Sequence, residues 1–287
     1  MPHPLTGITG SPPPWIMGVL NVTPDSFSDG GRYERFEAAV ARAREMCAEG
    51  AAIVDVGGES TAPGSRPLDA ETELSRIRPV VAALAPEIPL SVDTYHARTA
   101  AECLALGARI INDVSALRAD PALARVVAEA GAVLMMMHAK DAPLPHASDR
   151  PAHYRDPVAE IADFLLRRVD VALAAGIAPE RIVLDPGWGR FVSLDPAHSW
   201  ELLRRFEELA DRLAPFPLLV GVSQKGFLGV PMAERPPLSQ LAALHALERG
   251  AALVRTHHPR MMRRFLDAAE RMGRSFPARA RYAAGAP

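Results

Sequence analysis

The sequence contains few cysteines and no long apolar segment, and both shortages exclude classes of protein. Its 287 residues include two cysteines, Cys47 and Cys103, and neither belongs to a CxxC pair or a histidine cluster. A disulfide scaffold and a zinc finger are therefore excluded, and the two thiols are typical of small buried side chains in a reducing compartment. No apolar run reaches the roughly 18 residues that span a membrane, and residues 1–14 lack the basic and apolar regions of an export signal. We expect a cytoplasmic protein with no membrane partner.

An excess of charge is also missing. The 32 basic and 34 acidic residues leave a formal net charge of −2, and no stretch interleaves basic with aromatic residues. This composition does not favour nucleic acid as a partner. The catalytic signatures HExxH, CxxC, GxSxG and the Walker loop are absent as well. The sequence therefore gives no support to zinc hydrolysis, thiol redox, serine esterase or P-loop chemistry.

The most informative stretch that is present runs from Ile16 to Gly31 and reads IMGVLNVTPDSFSDGG. Its apolar run stops at Asn21 and is followed by turn formers, hydroxyls and carboxylates, which predicts a buried strand leading into a polar loop. Asn21 would then lie at the C-terminal end of the strand, where its side-chain oxygen suits a hard cation or a phosphate-bearing ligand. Taken alone, the segment after the strand is equally compatible with a simple turn and with a binding site.

The same strand pattern recurs along the chain. Eight apolar runs, several of them preceded by a helix-ending glycine, alternate with segments of helical length. Continuous apolar runs are typical of parallel strands buried on both faces, and eight strands close a (β/α)8 barrel. A doubly wound open sheet is the alternative, but no GxGxxG follows the first strand. We predict a single-domain α/β protein with a TIM barrel over residues 15–273, a flexible proline-rich arm at 1–14 and a frayed tail at 274–287. Predicted helices cover 70–85, 95–106, 120–130, 157–175, 198–213, 237–249 and 259–272, and a long polar connection covers 139–156.

Polar side chains follow the apolar runs at all eight predicted strand ends. Single members have ordinary explanations, since Asp185 before a proline can cap a turn, His138 can be a core histidine and Lys225 can be a surface amine. In a closed barrel, however, the C-terminal strand ends face one shared pocket. The collective pattern therefore predicts a site that contains Asn21, Asp55, Glu59, Ser60, Thr61, Asp93, Asn112, Asp113, His138, Asp185, Ser223, Lys225, Arg255 and His257.

The types of side chain indicate a ligand with two parts. Carboxylate and amide groups match a flat, nitrogen-rich heterocycle that presents both donors and acceptors. These groups belong to Asp93, Asn112 and Asp185. Positively charged groups gather at the last two strands, where barrels often bind phosphate. This second set comprises Lys225, Arg255 and His257, with Asn21 beside the last strand.

Seven motifs resemble those of the dihydropteroate synthase family and occur in the same order. They read MGVLNVTPDSFSDGG, VDVGGEST, SVDT, INDVS, LDPG, GVSxK and VRxH, and they extend from the start of the first strand to His257. The first motif is long and specific. The family fold is a (β/α)8 barrel, which agrees with the independent strand count.

The resemblance implies a transferase of the folate pathway, the target of sulfonamide drugs. The methyl-pterin group of 6-hydroxymethyl-7,8-dihydropterin pyrophosphate would be transferred to the amine of p-aminobenzoate, giving 7,8-dihydropteroate and pyrophosphate. Mg²⁺ is implied as the cofactor and a homodimer as the assembly. Because the C–O bond would break early, the site would act mainly by stabilising the departing pyrophosphate and the pterin cation.

The resemblance also implies a role for each matched residue. The pterin would be held by Asp93, Asn112, Asp185 and Lys225. Pyrophosphate would be held by Asn21, Arg255 and His257, and Asn21 would also bind the metal. The catalytic residues would be Asp29, Lys225, Arg255 and His257. The acceptor side would contain Thr61, Pro63, Arg190, Ser223 and Gly226.

Departures from the family pattern concentrate on the acceptor side. The usual ESTRPG reads ESTAPG here, so that Ala62 replaces an arginine, although Arg66 lies close in sequence. The usual GIGFGK reads GWGRFV. Arg190 therefore stands where an aromatic would pack on the aminobenzoate ring, unless a shift of one residue brings Phe191 to that place.

A further departure changes the usual SRKS to SQKG. Gln224 replaces an arginine, and Gly226 replaces the serine that would meet the substrate carboxylate. Two alternative functions follow from these changes. One is a paralogue that uses another arylamine, such as ribofuranosylaminobenzene phosphate, and the other is a non-catalytic pterin-binding paralogue.

Overall fold

Eight parallel strands form a closed barrel in the computed structural model, which describes residues 3–23, 32–60, 65–141 and 152–283. Each strand pairs with the next in chain order, and β8 pairs with β1. The predicted single-domain (β/α)8 TIM barrel is therefore confirmed. The strands are β1 Trp15–Asn21, β2 Ile53–Gly57, β3 Leu90–Asp93, β4 Ile110–Asp113, β5 Val133–Met137, β6 Ile182–Asp185, β7 Leu218–Val220 and β8 Ala251–Thr256.

Helices surround the barrel and follow the predicted segments closely. Several begin at an aspartate whose carboxylate accepts a backbone N–H of the first turn, as at Asp69, Asp156 and Asp195. None of the described helices is long and apolar enough to cross a membrane. Their bounds are α1 Pro4–Thr9, α2 Arg32–Ala48, α3 Ala70–Leu84, α4 Ala97–Ala105, α5 Ala122–Ala130, α6 Pro157–Ala174, α7 Pro196–Arg204, α8 Phe206–Arg212, α9 Arg235–Leu247, α10 Pro259–Arg271 and α11 Pro277–Ala283.

One predicted helix, 198–213, is two helices in the structure. The break lies at Arg205, whose backbone leaves the helical region at φ −104° and ψ 29°. The guanidinium of Arg205 is also paired with Asp156, Glu201 and Glu208. These side chains tie the junction of α7 and α8 to the start of α6. Of the long predicted connection 139–156, residues 142–151 lie outside the described part.

Successive strand residues point alternately to the helices and to the barrel interior. Residues such as Val54, Ile111 and Leu134 belong to the core between strands and helices. The intervening residues fill the lower half of the interior with fully buried apolar side chains. We call these residues the apolar plug; they are Trp15, Met17, Ile53, Ile110, Val133, Met135, Val183, Leu219 and Leu253.

Both ends of the described chain, which the sequence assigned to an arm and a tail, pack against the base of this plug. Leu5 in α1 is 0% exposed, and Tyr282 in α11 is 6% exposed. The two helices are joined by a hydrogen bond from the backbone N–H of His3 to the carbonyl of Tyr282. Prolines did not prevent helix formation here, because Pro4 stands at the first position of α1, where no backbone N–H is needed.

Candidate active site

A layer of polar side chains lies inside the barrel directly above the apolar plug. Four plug residues are followed two positions later by a polar residue, and a spacing of two keeps a side chain on the same face of a strand. Asp93 on β3 is in register with Asn112 on β4 and completes the set. We call this set the polar layer; it consists of Asp55 after Ile53, Asp93, Asn112 after Ile110, Asp185 after Val183 and Arg255 after Leu253.

Arg255 is at the centre of the polar layer. Its Nε donates to Oδ2 of Asp55 at 2.7 Å, and its Nη2 donates to Oδ2 of Asp93, also at 2.7 Å. The same oxygen of Asp55 accepts from Nδ2 of Asn112 at 3.1 Å. Burial alone would lower the pKa of Arg255, but the two carboxylates outweigh it and raise that pKa. Strands β2, β3, β4 and β8 are thus connected by one buried polar network.

Two carboxyl groups of the polar layer have pKa values raised toward neutral pH. Burial raises the pKa of Asp93 to about 7, against the opposing effect of the Arg255 charge. Burial also raises the pKa of Asp185 to about 6, although Oδ1 accepts the backbone N–H of Gly187 at 2.8 Å. Gly187 has φ +74°, and a Cβ at this position would overlap the carbonyl oxygen of His138. Glycine is therefore required here for the turn that presents its N–H to Asp185.

Lys225 brings a second cation to the same region. Burial lowers its pKa to about 8, with a further contribution from Arg255 and an opposing one from Asp185. Its Nζ lies 4.6 Å from the centre of the Phe191 ring, a distance typical of a cation–π contact. The ammonium therefore lies over an aromatic face and within electrostatic range of the Asp185 carboxylate.

His257 lies beside the cations but does not add to their charge. Burial and the charges of Arg255 and Lys225 lower its pKa to about 3, so the ring is neutral at pH 7. Its Nδ1 is 2.9 Å from Oγ of Ser223, which also accepts the backbone N–H of His257 at 3.2 Å. Of the three residues expected to carry positive charge, Arg255 and Lys225 do so at pH 7 and His257 does not.

A cavity of about 700 Å³ opens above the polar layer at the C-terminal ends of the strands. A larger cavity of about 1090 Å³ lies at the opposite end of the barrel, but the network of predicted site residues is at this one. Asn112 and Asp185 are not among its lining residues and lie in the layer below. Predicted residues that line it are Asn21, Glu59, Ser60, Asp93, Arg190, Ser223, Lys225, Gly226, Arg255 and His257.

At one wall of the cavity, a short 3-10 turn at Gly189–Phe191 directs two neighbouring side chains differently. Phe191 is 6% exposed and packs with Tyr95 and Met137, whereas Arg190 is exposed at the cavity wall. An aromatic wall is therefore present one residue later than the family pattern places it. Whether Phe191 takes the role of the family's aromatic stays a prediction.

Gln224, which replaces the usual arginine, has a left-handed backbone with φ +59°. Two neighbours hold this conformation. Oγ of Ser239 accepts its N–H at 3.3 Å, and Nη1 of Arg235 donates to its carbonyl at 3.0 Å. Arg235 also lines the cavity close to Gly226. An arginine from α9 therefore lies at the end of the cavity formed by Gly226.

Some predicted site residues are not brought to the cavity. His138 packs edge-on against Phe164 at 4.9 Å, on the side of the helices. The Asp113 carboxylate accepts the backbone N–H groups of Ser115 and Leu117 and supports the turn after β4. Three predicted residues, Asp29, Thr61 and Pro63, lie outside the described residues. Arg66 is exposed and does not line the described cavity.

The sequence interpretation gave no role to two residues that the site depends on. Asp55 was noted only as a strand end, and its contacts to Asn112 and Arg255 join positions 57 and 200 residues apart. Its spacing of two from Ile53 was an available signal. Arg235 carried no motif, and only its position after the SQK loop could have indicated it.

Comparison with known proteins identifies the family to which the chain is similar. The model of the pterin-binding enzyme family matches residues 17–257. Dihydropteroate synthase of Mycobacterium leprae is 47% identical over 263 residues, which cover 86% of this chain and 89% of that protein. A structure of Xanthomonas albilineans dihydropteroate synthase with 4-aminobenzoic acid has a TM-score of 0.82 and 38% identity, covering 92% of this chain and 94% of the other.

A second Xanthomonas albilineans structure, in complex with 7,8-dihydropteroate, has a TM-score of 0.79 at 36% identity and covers 92% of this chain and 95% of the other. Because the family match extends over most of the sequence, this chain belongs to the family of pterin-binding enzymes.

Proposed function

We propose that this protein is a dihydropteroate synthase, a transferase of folate biosynthesis. It condenses 6-hydroxymethyl-7,8-dihydropterin pyrophosphate with p-aminobenzoate to give 7,8-dihydropteroate and pyrophosphate. The observation that carries this assignment is the polar layer of buried carboxylates and an amide at the base of the cavity, beside two cations. Such an arrangement suits a polar heterocycle joined to an anionic leaving group.

The pterin is assigned to the polar layer. Its edge offers ring N–H and amino donors together with ring-nitrogen and carbonyl acceptors. The carboxyl groups of Asp93 and Asp185 accept hydrogen bonds, and Asn112 and Lys225 add donors. Burial raises the pKa values of both carboxyl groups to near neutral pH. Hydrogen-bond donors of a bound ligand would therefore favour their ionised form.

The pyrophosphate is assigned to the rim, where Asn21, Arg255 and His257 line the cavity. Within the described residues no group of three carboxylates, histidines or cysteines could hold a metal by itself. One amide oxygen of Asn21 suits Mg²⁺ that is carried largely by substrate phosphates and water, as this ion usually is. When bound, Mg²⁺ would supply further neutralisation of the leaving group, with Asn21 as its protein ligand.

Bond cleavage is assisted by charge. The C–O electron pair leaves with pyrophosphate, and the pterin methylene becomes cationic. Arg255 is fixed by Asp55 and Asp93 before substrate arrives, so that little reorganisation is needed as negative charge develops beside it. His257 is neutral in the free protein and acts as a hydrogen-bonding group. The amine lone pair then attacks the methylene, and the new C–N bond forms as the nitrogen loses one proton.

The arylamine is assigned to the side lined by Phe191, Ser223 and Gly226. Phe191 supplies an apolar ring surface, and Arg235 and Arg190 supply positive charge for the carboxylate end. The same two arginines also support a phosphorylated arylamine as a second candidate acceptor.

A single assay tests both acceptors. Purified protein is incubated with dihydropterin pyrophosphate, Mg²⁺ and either p-aminobenzoate or ribofuranosylaminobenzene phosphate, and pyrophosphate release is measured. We expect release with p-aminobenzoate at ordinary enzyme rates. Release only with the phosphorylated amine would make that amine the acceptor. Tight pterin binding without release in either mixture would contradict the assigned activity.

The proposed assembly is a homodimer. Large apolar side chains are exposed on the neighbouring helices α7 and α9 and on the turn before α9, namely Trp200 at 42%, Met232 at 56%, Leu238 at 37% and Leu241 at 57%. Adjacent exposed apolar side chains are typical of interaction surfaces. Light scattering coupled to gel filtration would give twice the chain mass of 30.9 kDa. A Leu241→Glu variant should shift the mass to that of one chain, with Arg271→Glu on α10 as the control.

A further inference from the structure

The larger cavity lies at the base of the barrel, at the end opposite the active site. Its walls come from α1, from the loops that precede β4, β5, β6 and β7, and from α11. At about 1090 Å³ it is at the upper end of the size range of small-molecule sites. We call it the base groove and define it by His3, Ile8, Leu104, Arg109, Arg181 and Arg281.

His3 contributes to the wall of this groove, but its unpaired ring nitrogen is enclosed within the protein. The backbone N–H of Leu5 donates to its Nδ1 at 3.2 Å, so that Nδ1 carries no hydrogen. Burial lowers the pKa of His3 to about 4, and the neutral ring must therefore carry its hydrogen on Nε2. His3 is 9% exposed, and none of the described residues accepts a hydrogen bond from Nε2.

The groove also has an excess of positive charge. Arg109, Arg181 and Arg281 line it, with Glu180 as the acidic lining residue, so two positive charges are in excess. None of these arginines forms an ion pair with a carboxylate in the described part of the chain, although Arg181 donates to the carbonyl of Gly131 and Arg281 hydrogen-bonds to the Tyr282 hydroxyl. Guanidinium groups with free N–H donors are suited to binding a carboxylate in two-point fashion.

The rest of the wall is apolar. Ile8, Leu104, Pro215 and Pro217 contribute side chains without hydrogen-bonding groups, and the Tyr282 hydroxyl already donates to the carbonyl of Pro215. Flat apolar surfaces beside a cationic edge are complementary to an aromatic ring that carries an acid group.

We propose that the base groove is a second ligand site, which binds a small aromatic carboxylate through Arg109 and Arg281. The apolar plug separates it from the polar layer, so a ligand here does not overlap the active-site cavity. Binding to the folded state stabilises the protein by an amount set by ligand concentration over Kd. The proposal does not depend on the transferase assignment.

The test uses 2-naphthoate as the probe and isothermal titration calorimetry as the measurement. We expect binding to the wild-type protein that Lys225→Ala leaves within about twofold, because Lys225 belongs to the active-site cavity. The double variant Arg109→Ala/Arg281→Ala should weaken binding about tenfold or more, the effect of losing charge-assisted contacts. Arg271→Ala, an exposed arginine on α10, is the matched control and should have no effect. The neutral isostere 2-naphthylmethanol should bind about tenfold more weakly or worse.

The location is checked without mutation by nuclear Overhauser contacts from the naphthyl ring to the methyl groups of Ile8 and Leu104. Loss of binding in Lys225→Ala with retention in the double variant would place the probe in the active-site cavity and overturn the proposal. Equal affinity for the alcohol would do the same, because it would remove the role of the arginines. Absence of any binding heat or Overhauser contact would also overturn it.

Discussion

Removal of Asp55 should weaken both the fold and pterin binding. Asp55 is 0% exposed, and one of its oxygens is shared by Arg255 at 2.7 Å and Asn112 at 3.1 Å. Deleting one partner of a buried ion pair costs roughly 3–5 kcal/mol, because the other charge stays buried and unpaired. Arg255 keeps Asp93 and is 22% exposed. We therefore expect the lower end of that range, about 3 kcal/mol, for Asp55→Ala.

Urea unfolding followed by circular dichroism measures this loss. With an m-value of about 3 kcal/mol/M, a change of about 3 kcal/mol lowers the midpoint by about 1 M. Asp267→Ala is the matched control, because Asp267 pairs with Arg263 at 2.7 Å but both side chains are partly exposed. Exposed pairs contribute little, so the control should change the free energy of unfolding by about 0.5 kcal/mol or less.

The same variant has an activity readout. Arg255 and Asn112 lose their common acceptor in Asp55→Ala, and we expect the KM for the pterin substrate to rise about tenfold or more, since a displacement of catalytic groups by about 1 Å is costly. If Asp55→Ala unfolds at the same urea concentration as Asp267→Ala and keeps its KM, the buried network does not position the polar layer and our reasoning on it is refuted.

Three further predictions follow. The kcat/KM for the pterin substrate should fall above about pH 8, because Lys225 loses its positive charge above its lowered pKa. In Lys225→Arg, this alkaline decrease in the pH profile should move to higher pH. An unchanged profile would assign the decrease to another group. Arg235→Ala should raise the KM for the arylamine about tenfold and leave the KM for the pterin within about twofold; the opposite pattern in steady-state assays would contradict the acceptor-side assignment. Leu5→Ala should lower the free energy of unfolding by about 2–4 kcal/mol in urea titrations. Ile8→Ala should lower it by less, because Ile8 is only partly buried. No loss in Leu5→Ala would support the interpretation of residues 1–14 as a loose arm.

The barrel could be predicted from the sequence because each of its strands is buried on both faces and therefore reads as a continuous apolar run. The helix at Pro4–Thr9 could not, because a cluster of prolines suggests an extended arm. Contacts with distant residues at the barrel base, such as those of Leu5, stabilise so short a helix. The break at Arg205 was missed for a similar reason. It depends on ion pairs to Asp156, on another helix, that local periodicity does not record.

The site was predictable where a side chain's place depends on strand alternation. Asn112, Asp185 and Arg255 each stand two positions after an apolar interior residue, and the structure brings them together. The charge state of His257 was not predictable, since its neutrality results from burial beside Arg255 and Lys225. The place of Phe191 depends on the turn at Gly189–Phe191, whose geometry no motif in the sequence specified.

The alternation of the strands also restricts how such an enzyme can change its acceptor during evolution. Inserting one residue within a strand would exchange its two faces, exposing the polar layer to the helices and bringing apolar side chains to the pterin. Changes in length are therefore tolerated only beyond the strand ends. Arg190 lies in the loop after β6, and Gln224 lies in the loop after β7. New acceptors can thus be explored in these loops while the residues assigned to the pterin keep their places on the strands.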